Sequence, residues 1–211
     1  MELSLSRVHF PVTTLGPGRR LGIWFQGCSI RCPGCISADT WGPGQRRVSI
    51  AQLLAQLAPW LAEADGITVS GGEPFDQFPA LLALLQGLRH SSPLDILVYS
   101  GYSLEYLQPQ LRQAEGLIDA LISDPFEEHS EQTLALRGSD NQRLNLLTAL
   151  GHERLACYER PLQPADKALD LMFDENGSVW MAGIPQRDDL LRLHDLLSAQ
   201  GHKVRTSAHR H

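Results

Sequence analysis

The chain alternates short aliphatic runs with longer stretches whose apolar residues recur every three or four positions. "LGIWF" (21–25), "GITVS" (66–70), "DILVYS" (95–100) and "LIDALIS" (117–123) are rich in aliphatic residues, which predicts strands. Between the first two lies "SIAQLLAQLAPWLAEAD". Its Ile50, Leu53, Leu54, Leu57 and Leu61 fall at helical spacing, and Ser49 with Gln52 makes a capping-box pattern at its start. "PALLALLQGLR" (79–89) and "SLEYLQPQL" (103–111) predict two further helices, the second cut short by Pro109. Strand–helix alternation of this kind predicts an α/β fold of parallel strands joined by right-handed crossovers. A closed eight-fold barrel needs about 250 residues, and this chain has room for about five or six units. A partial, open β/α barrel is therefore expected.

After "RGSDNQR" (137–143) the rhythm changes. "ALDLMF" and "SVWMAG" flank "DENG" (174–177), the pattern of a hairpin with Gly at its turn. "DDLLRLHDLLSAQG" then reads as a helix with acids in its first turn and Gly201 as its stop. The expected division is a core over residues 1–145 and a C-terminal extension over 146–211. No Pro/Gly/Ser-rich linker separates the two, so the extension is expected to pack on the core. Its apolar face would run from Leu169, Leu171, Phe173 and Val179 to Leu190, Leu193 and Leu197. The tail, with His202, His209 and His211, reads as a solvated end, not a metal site.

Composition narrows the function classes. The 211 residues are 43% hydrophobic and 20% charged, an ordinary globular balance. A net charge of -6 argues against an electrostatic grip on nucleic acid. No charged segment precedes an apolar stretch at the start, and "ALLALL" (80–85) is too short to span a bilayer. A cytoplasmic chain is expected, and there clustered cysteines point to metal or catalysis before disulfides.

Three of the four cysteines lie within "QGCSIRCPGC" (26–35), spaced C-x3-C-x2-C directly after a predicted strand. A structural zinc site is the plain alternative. Such sites are closed and four-coordinate, yet no His lies between Gly27 and Trp41 and Cys157 is far along the chain, where an ordinary buried thiol is expected. Three thiolates with an empty fourth position suit a [4Fe-4S] cluster that leaves one iron open. "VSGGEP" (69–74) ends the next strand. Its paired glycines let backbone groups approach a ligand, and Glu73 is placed to meet an ammonium group. Taken alone, "GGEP" is more often a tight turn.

Together, C-x3-C-x2-C and "SGGEP" resemble the radical S-adenosylmethionine superfamily. "GPGRRLGIWFQGCSIRCPGCISADTW" (16–41), "ITVSGGEPF" (67–75), "VYSGYSLEYL" (98–107), "IDALISDPF" (118–126) and "RGSDNQ" (137–142) resemble, in order, blocks of the activating proteins of anaerobic ribonucleotide reductases. The resemblance implies that Cys28, Cys32 and Cys35 hold three irons of a [4Fe-4S] cluster. It implies that the fourth iron takes the amino and carboxylate groups of S-adenosyl-L-methionine, with Gly71, Gly72 and Glu73 receiving the amino group. Gly34 and Ile36 would lie near the adenine, and Ser100 would add a polar contact. A bulky residue at Gly72 should then weaken cofactor binding and spare the cluster. The implied reaction is reductive cleavage to a 5'-deoxyadenosyl radical, which abstracts hydrogen from a protein substrate such as a glycyl-radical enzyme. A flavodoxin- or ferredoxin-type donor would supply the electron.

Two departures stand out. Asp124-Pro125-Phe126 replaces the subgroup's common Asp-Gly before the Phe, and some 65 residues follow the last shared block. In that extension "SVWMAGIP" (178–185) reads either as a strand closing the site against adenine or as core packing. The alternatives are a radical enzyme acting on another peptide or a small molecule, and a non-catalytic metal-binding module. An intact "GGEP" disfavours the last.

Overall fold

In the computed structural model the described residues are 1–44, 47–166, 168–173, 179–186 and 188–203. The four predicted strands form the centre of a seven-stranded open sheet. They are β2 (Arg20–Phe25), β4 (Gly66–Gly71), β5 (Ile96–Tyr99) and β6 (Ala120–Ser123), adjacent in that order and all parallel. β1 (Glu2–Val12) pairs antiparallel with β2, β3 (Arg47–Ser49) with β1, and β7 (Arg143–Leu146) with β6. The fold is thus α/β with a parallel-rich sheet, and four parallel strands stand where five or six units were expected. β1 was not among the expected strands: "ELSLSRVHFPV" alternates apolar with polar residues, as a half-covered strand does, and lacks the continuous aliphatic run of the four that were.

Helices α1 (Ile50–Leu61), α2 (Phe78–Ser91) and α3 (Leu104–Gln113) lie between the parallel strands in sequence. Ser49 sits at the N-cap of α1, but its side chain makes no capping hydrogen bond, so the capping box does not form. Pro109 leaves α3 unbroken to Gln113; it stands in the helix's second turn. The strand residues Leu21, Ile23, Phe25, Ile67, Val69, Ile96 and Val98 cluster with Leu53, Leu57, Leu81 and Leu84 of α1 and α2 in the main core.

The alternate strand residues face the other way, as a period of two requires. There Leu97, Ala120 and Ile122 meet Leu136 and Leu155, the latter on α4 (Ala149–Leu155). Trp24 meets Val12, Leu15 and Ala182, with Tyr99, Met172 and Ile184 packed beside them. Arg20 is fully buried on this face. It donates to Thr68 Oγ1 at 2.7 Å and the Ile67 carbonyl at 2.6 Å, and pairs with Asp95 at 2.5 Å. Arg154 of α4 reaches the same Asp95 at 3.3 Å. The N-terminal ends of the strands are thereby tied by charge, which leaves the C-terminal ends to the loops.

Ala182 belongs to the antiparallel hairpin of β8 (Leu169–Phe173) and β9 (Val179–Gly183), which is followed by α5 (Asp189–Ala199). Asp170 anchors the hairpin, accepting from Thr13 N at 2.6 Å, Thr13 Oγ1 at 2.8 Å and Thr14 Oγ1 at 3.0 Å. The expected apolar face of the extension is only partly buried. Leu171 and Val179 are 42% and 50% exposed, and no described residue of α5 is fully buried. These side chains project from the hairpin on the side away from Ala182, as alternation demands. The turn at 174–177, the Phe173 side chain, His209 and His211 lie outside the described residues; His202 is exposed. Cys157 is exposed as well, at the surface after α4, and not the buried thiol expected.

Asp170 offers a direct check on how firmly the hairpin is tied. Hydrogen bonds to a charged group contribute about 1.5–3 kcal/mol each, not additively. Asp170→Ala should lower stability by about 2–3 kcal/mol in denaturant unfolding. An unchanged midpoint would mean that the hairpin does not depend on this anchor.

Candidate metal and cofactor site

Parallel strands place their C-terminal ends on one side, and in this fold class that is where loops carry chemistry. The loops after β2, β4, β5 and β6 meet there. The cysteine loop leaves β2 at Phe25, whose register partner is Gly71 at the end of β4. Gly72 N–H donates to the Phe25 carbonyl at 2.9 Å and Glu73 N–H to the Gly27 carbonyl at 2.8 Å. The two motifs read separately from the sequence are one hydrogen-bonded unit.

Their glycines have a steric reason for being glycine. A Cβ on Gly72 would stand 2.0 Å from the Gly27 carbonyl oxygen. At Gly71, φ is +107°, and a Cβ would stand 2.5 Å from the Phe25 backbone. The close approach is therefore to the cysteine loop itself, and a side chain at Gly72 would displace that loop. This corrects the expectation that a bulky residue there leaves the cysteines untouched.

Cys28, Cys32 and Cys35 are all half-buried free thiols. Backbone donors surround them. The amides of Ile30 and Arg31 point to Cys28, that of Phe126 to Cys32, and that of Ser37 together with the Trp41 indole to Cys35. Burial nonetheless pushes all three thiols up from their ordinary range, and Cys32 and Cys35 also feel the charge of neighbouring cysteines. Among the described residues, no three His, Cys, Asp or Glu side chains close on the tight set that a single ion requires. Around one zinc, sulfurs stand about 3.8 Å apart. A cluster takes its thiolates at separate iron corners, and three mutually sensing thiols with N–H donors suit that chemistry.

Glu73 is 1% exposed, and both of its oxygens are engaged. It accepts from Phe75 N at 3.0 Å, Ser100 Oγ at 2.9 Å and Gly101 N at 2.8 Å. None of the ion pairs among the described residues includes it. Burial without a counter-ion pushes its carboxyl up to about 7, against the pull of the three donors. A cationic group brought to this carboxylate would relieve that cost, so the cradle fits an ammonium ligand.

Ser100 thus joins Glu73 directly. Gly34 lies in the turn between Cys32 and Cys35, at φ +73°, with the Glu128 side chain against it. Ile36 is 40% exposed beyond the last cysteine. Sequence reading missed Ser29, Asp76, Tyr102 and the Phe126 amide. The first three lie in or directly beside the quoted blocks, and the amide is invisible in any side-chain pattern. A cavity of about 360 Å³ lies elsewhere, lined by Thr13, Arg137, Tyr158 and Ile184 among others, and no cysteine borders it. Among the described residues no helix is long and apolar enough to cross a membrane.

The family model described as "4Fe-4S single cluster domain" matches residues 14–145, which defines the class. The anaerobic ribonucleoside-triphosphate reductase-activating protein of Escherichia coli K12 is 33% identical over 143 residues, 64% of this chain and 93% of that protein. Its namesake from Vibrio cholerae is 30% identical over 149 residues, 66% of this chain and 96% of that protein. The chain belongs to the family of these activating proteins. The crystal structure of QueE from Escherichia coli matches 48% of this chain and 53% of that one, with a TM-score of 0.42 and 18% identity.

Two measurements follow from this geometry. Gly72→Ala should cost about 1–3 kcal/mol, as overpacking does, and should lower iron retention because the cysteine loop must move. Full retention at wild-type stability would break the link between the two motifs. Glu73 binds its proton more tightly folded than unfolded, with the carboxyl at about 7 against an ordinary 4.5. Its contribution to stability is therefore full below pH 4.5 and is lost as pH rises through 7, by about 3 kcal/mol in ligand-free protein. The stability difference between wild type and Glu73→Gln should change across that window; a flat difference would mean that Glu73 stays ionised.

Proposed function

We propose that the protein is a radical S-adenosylmethionine enzyme that activates an anaerobic ribonucleotide reductase by abstracting hydrogen from its chain. The observation that carries this reading is the backbone junction of the cysteine loop with a buried carboxylate that lacks a cation. Cys28, Cys32 and Cys35 would hold three irons of a [4Fe-4S] cluster, leaving the fourth open. Gly71, Gly72 and Glu73 would receive the amino group of S-adenosyl-L-methionine, Gly34 and Ile36 would lie along its adenine, and Ser100 would hold Glu73 in place. When bound, cluster and cosubstrate together supply one-electron cleavage of the sulfonium and a 5'-deoxyadenosyl radical.

The chain's own part is placement. Glu73 keeps its orientation through three donors, one from its own loop and two from the loop after β5, so an ammonium meets a carboxyl of fixed direction. The N–H groups around the three sulfurs stabilise charge on thiolates and set the potential at which an electron enters. The open sheet serves as the partial β/α barrel of this enzyme type, with residues 1–145 as the core. Residues 146–211 form the extension, although β7 spans that division and keeps the two in one sheet.

The relatives' names state that they activate anaerobic ribonucleoside-triphosphate reductase, and a protein substrate of that kind is carried over to this chain. The electron donor would be a flavodoxin or ferredoxin.

Anaerobic reconstitution should give about four irons and four sulfides per chain. With a strong reductant, the loaded protein should convert S-adenosylmethionine to methionine and 5'-deoxyadenosine and raise a glycyl-radical signal on the reductase. Cys32→Ala should abolish the cluster and the cleavage, while Cys157→Ala should leave both intact. Stoichiometric zinc with no sulfide would overturn the reading.

A further inference from the structure

Beyond the residues that would touch metal or cosubstrate, three strand-end loops are joined by one carboxylate. Asp76 Oδ2 accepts from Ser29 N at 2.8 Å, and Asp76 Oδ1 accepts from Ser29 Oγ at 2.9 Å. Tyr102 Oη donates to Asp76 Oδ1 at 2.8 Å and stands 2.9 Å from Ser29 Oγ. Ser29 directly follows Cys28. Tyr102 N–H in turn donates to Ser100 Oγ at 3.1 Å, and that hydroxyl donates to Glu73. The ring closes through Glu73 N–H and the Gly27 carbonyl, at 2.8 Å. Cys28 and Glu73 are thus held at a fixed separation from both sides, by backbone on one and by Asp76 with Tyr102 on the other. Tyr102 is itself braced by stacking on Tyr106, with ring centroids 4.5 Å apart.

We infer that Asp76 is a positioning residue, which fixes the Cys28 thiol relative to the Glu73 carboxylate and so sets how an amino-acid cosubstrate spans cluster and cradle. The inference rests on the proposed function for the identity of that cluster and cosubstrate. Location separates it from a merely structural role. Asp76 and Ser29 are exposed, and surface hydrogen bonds of this kind contribute little to global stability. What they constrain is geometry. The other side-chain tie between the loops after β2 and β4 among the described residues, Gln77 to the Gln26 carbonyl at 3.0 Å, lies at the start of the cysteine loop and does not reach past Cys28.

Asp76→Ala, Asp76→Asn and Tyr102→Phe are compared with wild type after anaerobic reconstitution. Four properties are read: thermal midpoint, iron content, half-life of the cluster under a chelator, and the affinity for S-adenosylmethionine by calorimetry. The spectrum of the reduced cluster is recorded with and without that cosubstrate. Asp76→Ala should keep its thermal midpoint and its iron, lose iron to the chelator several-fold faster, and bind S-adenosylmethionine roughly tenfold more weakly. The cosubstrate-induced change in the spectrum should be altered. Tyr102→Phe should shift the same readouts less, and Asp76→Asn, which keeps an acceptor for Ser29, should recover part of the loss. Affinity, half-life and spectrum equal to wild type in Asp76→Ala would overturn the inference. So would a matching drop in thermal midpoint, which would make the residue structural. A wild type that holds no cluster would instead sink the proposed function, and the two failures are distinct.

Discussion

The rest of the site depends on how closely two backbones approach, at Gly72 and Gly27. A carbonyl oxygen sits where the Gly72 side chain would begin. Only glycine permits the contact, and through it the loop after β4 and the loop after β2 share two amide hydrogen bonds. The C-x3-C-x2-C loop has little regular structure of its own; its described portion contains turns and one short 3-10 segment. Its position is borrowed from β4. The donor pairs Gly27 N–Thr40 O at 2.7 Å and Cys28 N–Trp41 O at 3.2 Å then fold the loop's far end back on its start. Gln77 finishes the frame, bonding to both backbone groups of Ser4 and to the Gln26 carbonyl. β1 is thus coupled to the same point.

The sheet has a division of labour that follows from strand direction. At the N-terminal ends, Arg20 and Asp95 form a buried ion pair that the partly exposed Arg154 joins from the surface. A buried ion pair contributes stability only when well bonded, and breaking one costs about 3–5 kcal/mol. At the C-terminal ends the opposite holds. Glu73 is as buried as Asp95, yet it has hydrogen-bond donors and no cation. One end of the sheet spends its charges on cohesion, and the other keeps a charge that the fold alone does not neutralise.

How much of this was legible depended on what each feature is made of. The four parallel strands and three crossover helices were readable, because burial on both faces writes near-continuous aliphatic runs and burial on one face writes a helical period. β1 was not, since its side chains serve a half-covered strand: Arg7 pairs with Asp39, and His9 lies edge-on to Trp24. The cysteines, Glu73 and Ser100 were legible as chemistry at unusual spacing. Arg20 was not, for a lone arginine before a strand carries no mark of being buried. Nor was the Phe126 amide, which any residue but proline would provide. The extension misled because "ALDLMF" and "SVWMAG" alternate only loosely. The face expected to bury, with Leu171 and Val179, is the open one, and the opposite face, with Asp170 and Ala182, meets the core.

The sheet's second face is covered from two places in the chain. Leu136 and Leu155 pack on it at β5 and β6, the hairpin packs over Trp24, and the cavity of about 360 Å³ bordered by Leu136 and Ile184 remains on that side. A carboxylate as buried as Glu73 attracts a cation more strongly than one in water would, and its hydrogen-bond partners all lie in the loops after β4 and β5, not in the extension. The family model ends at residue 145, so Leu155 and the hairpin lie beyond the matched residues while Leu136 lies within them. Asp170, bonded to Thr13 and Thr14 just upstream of β2, is the point where the hairpin takes hold of the sheet.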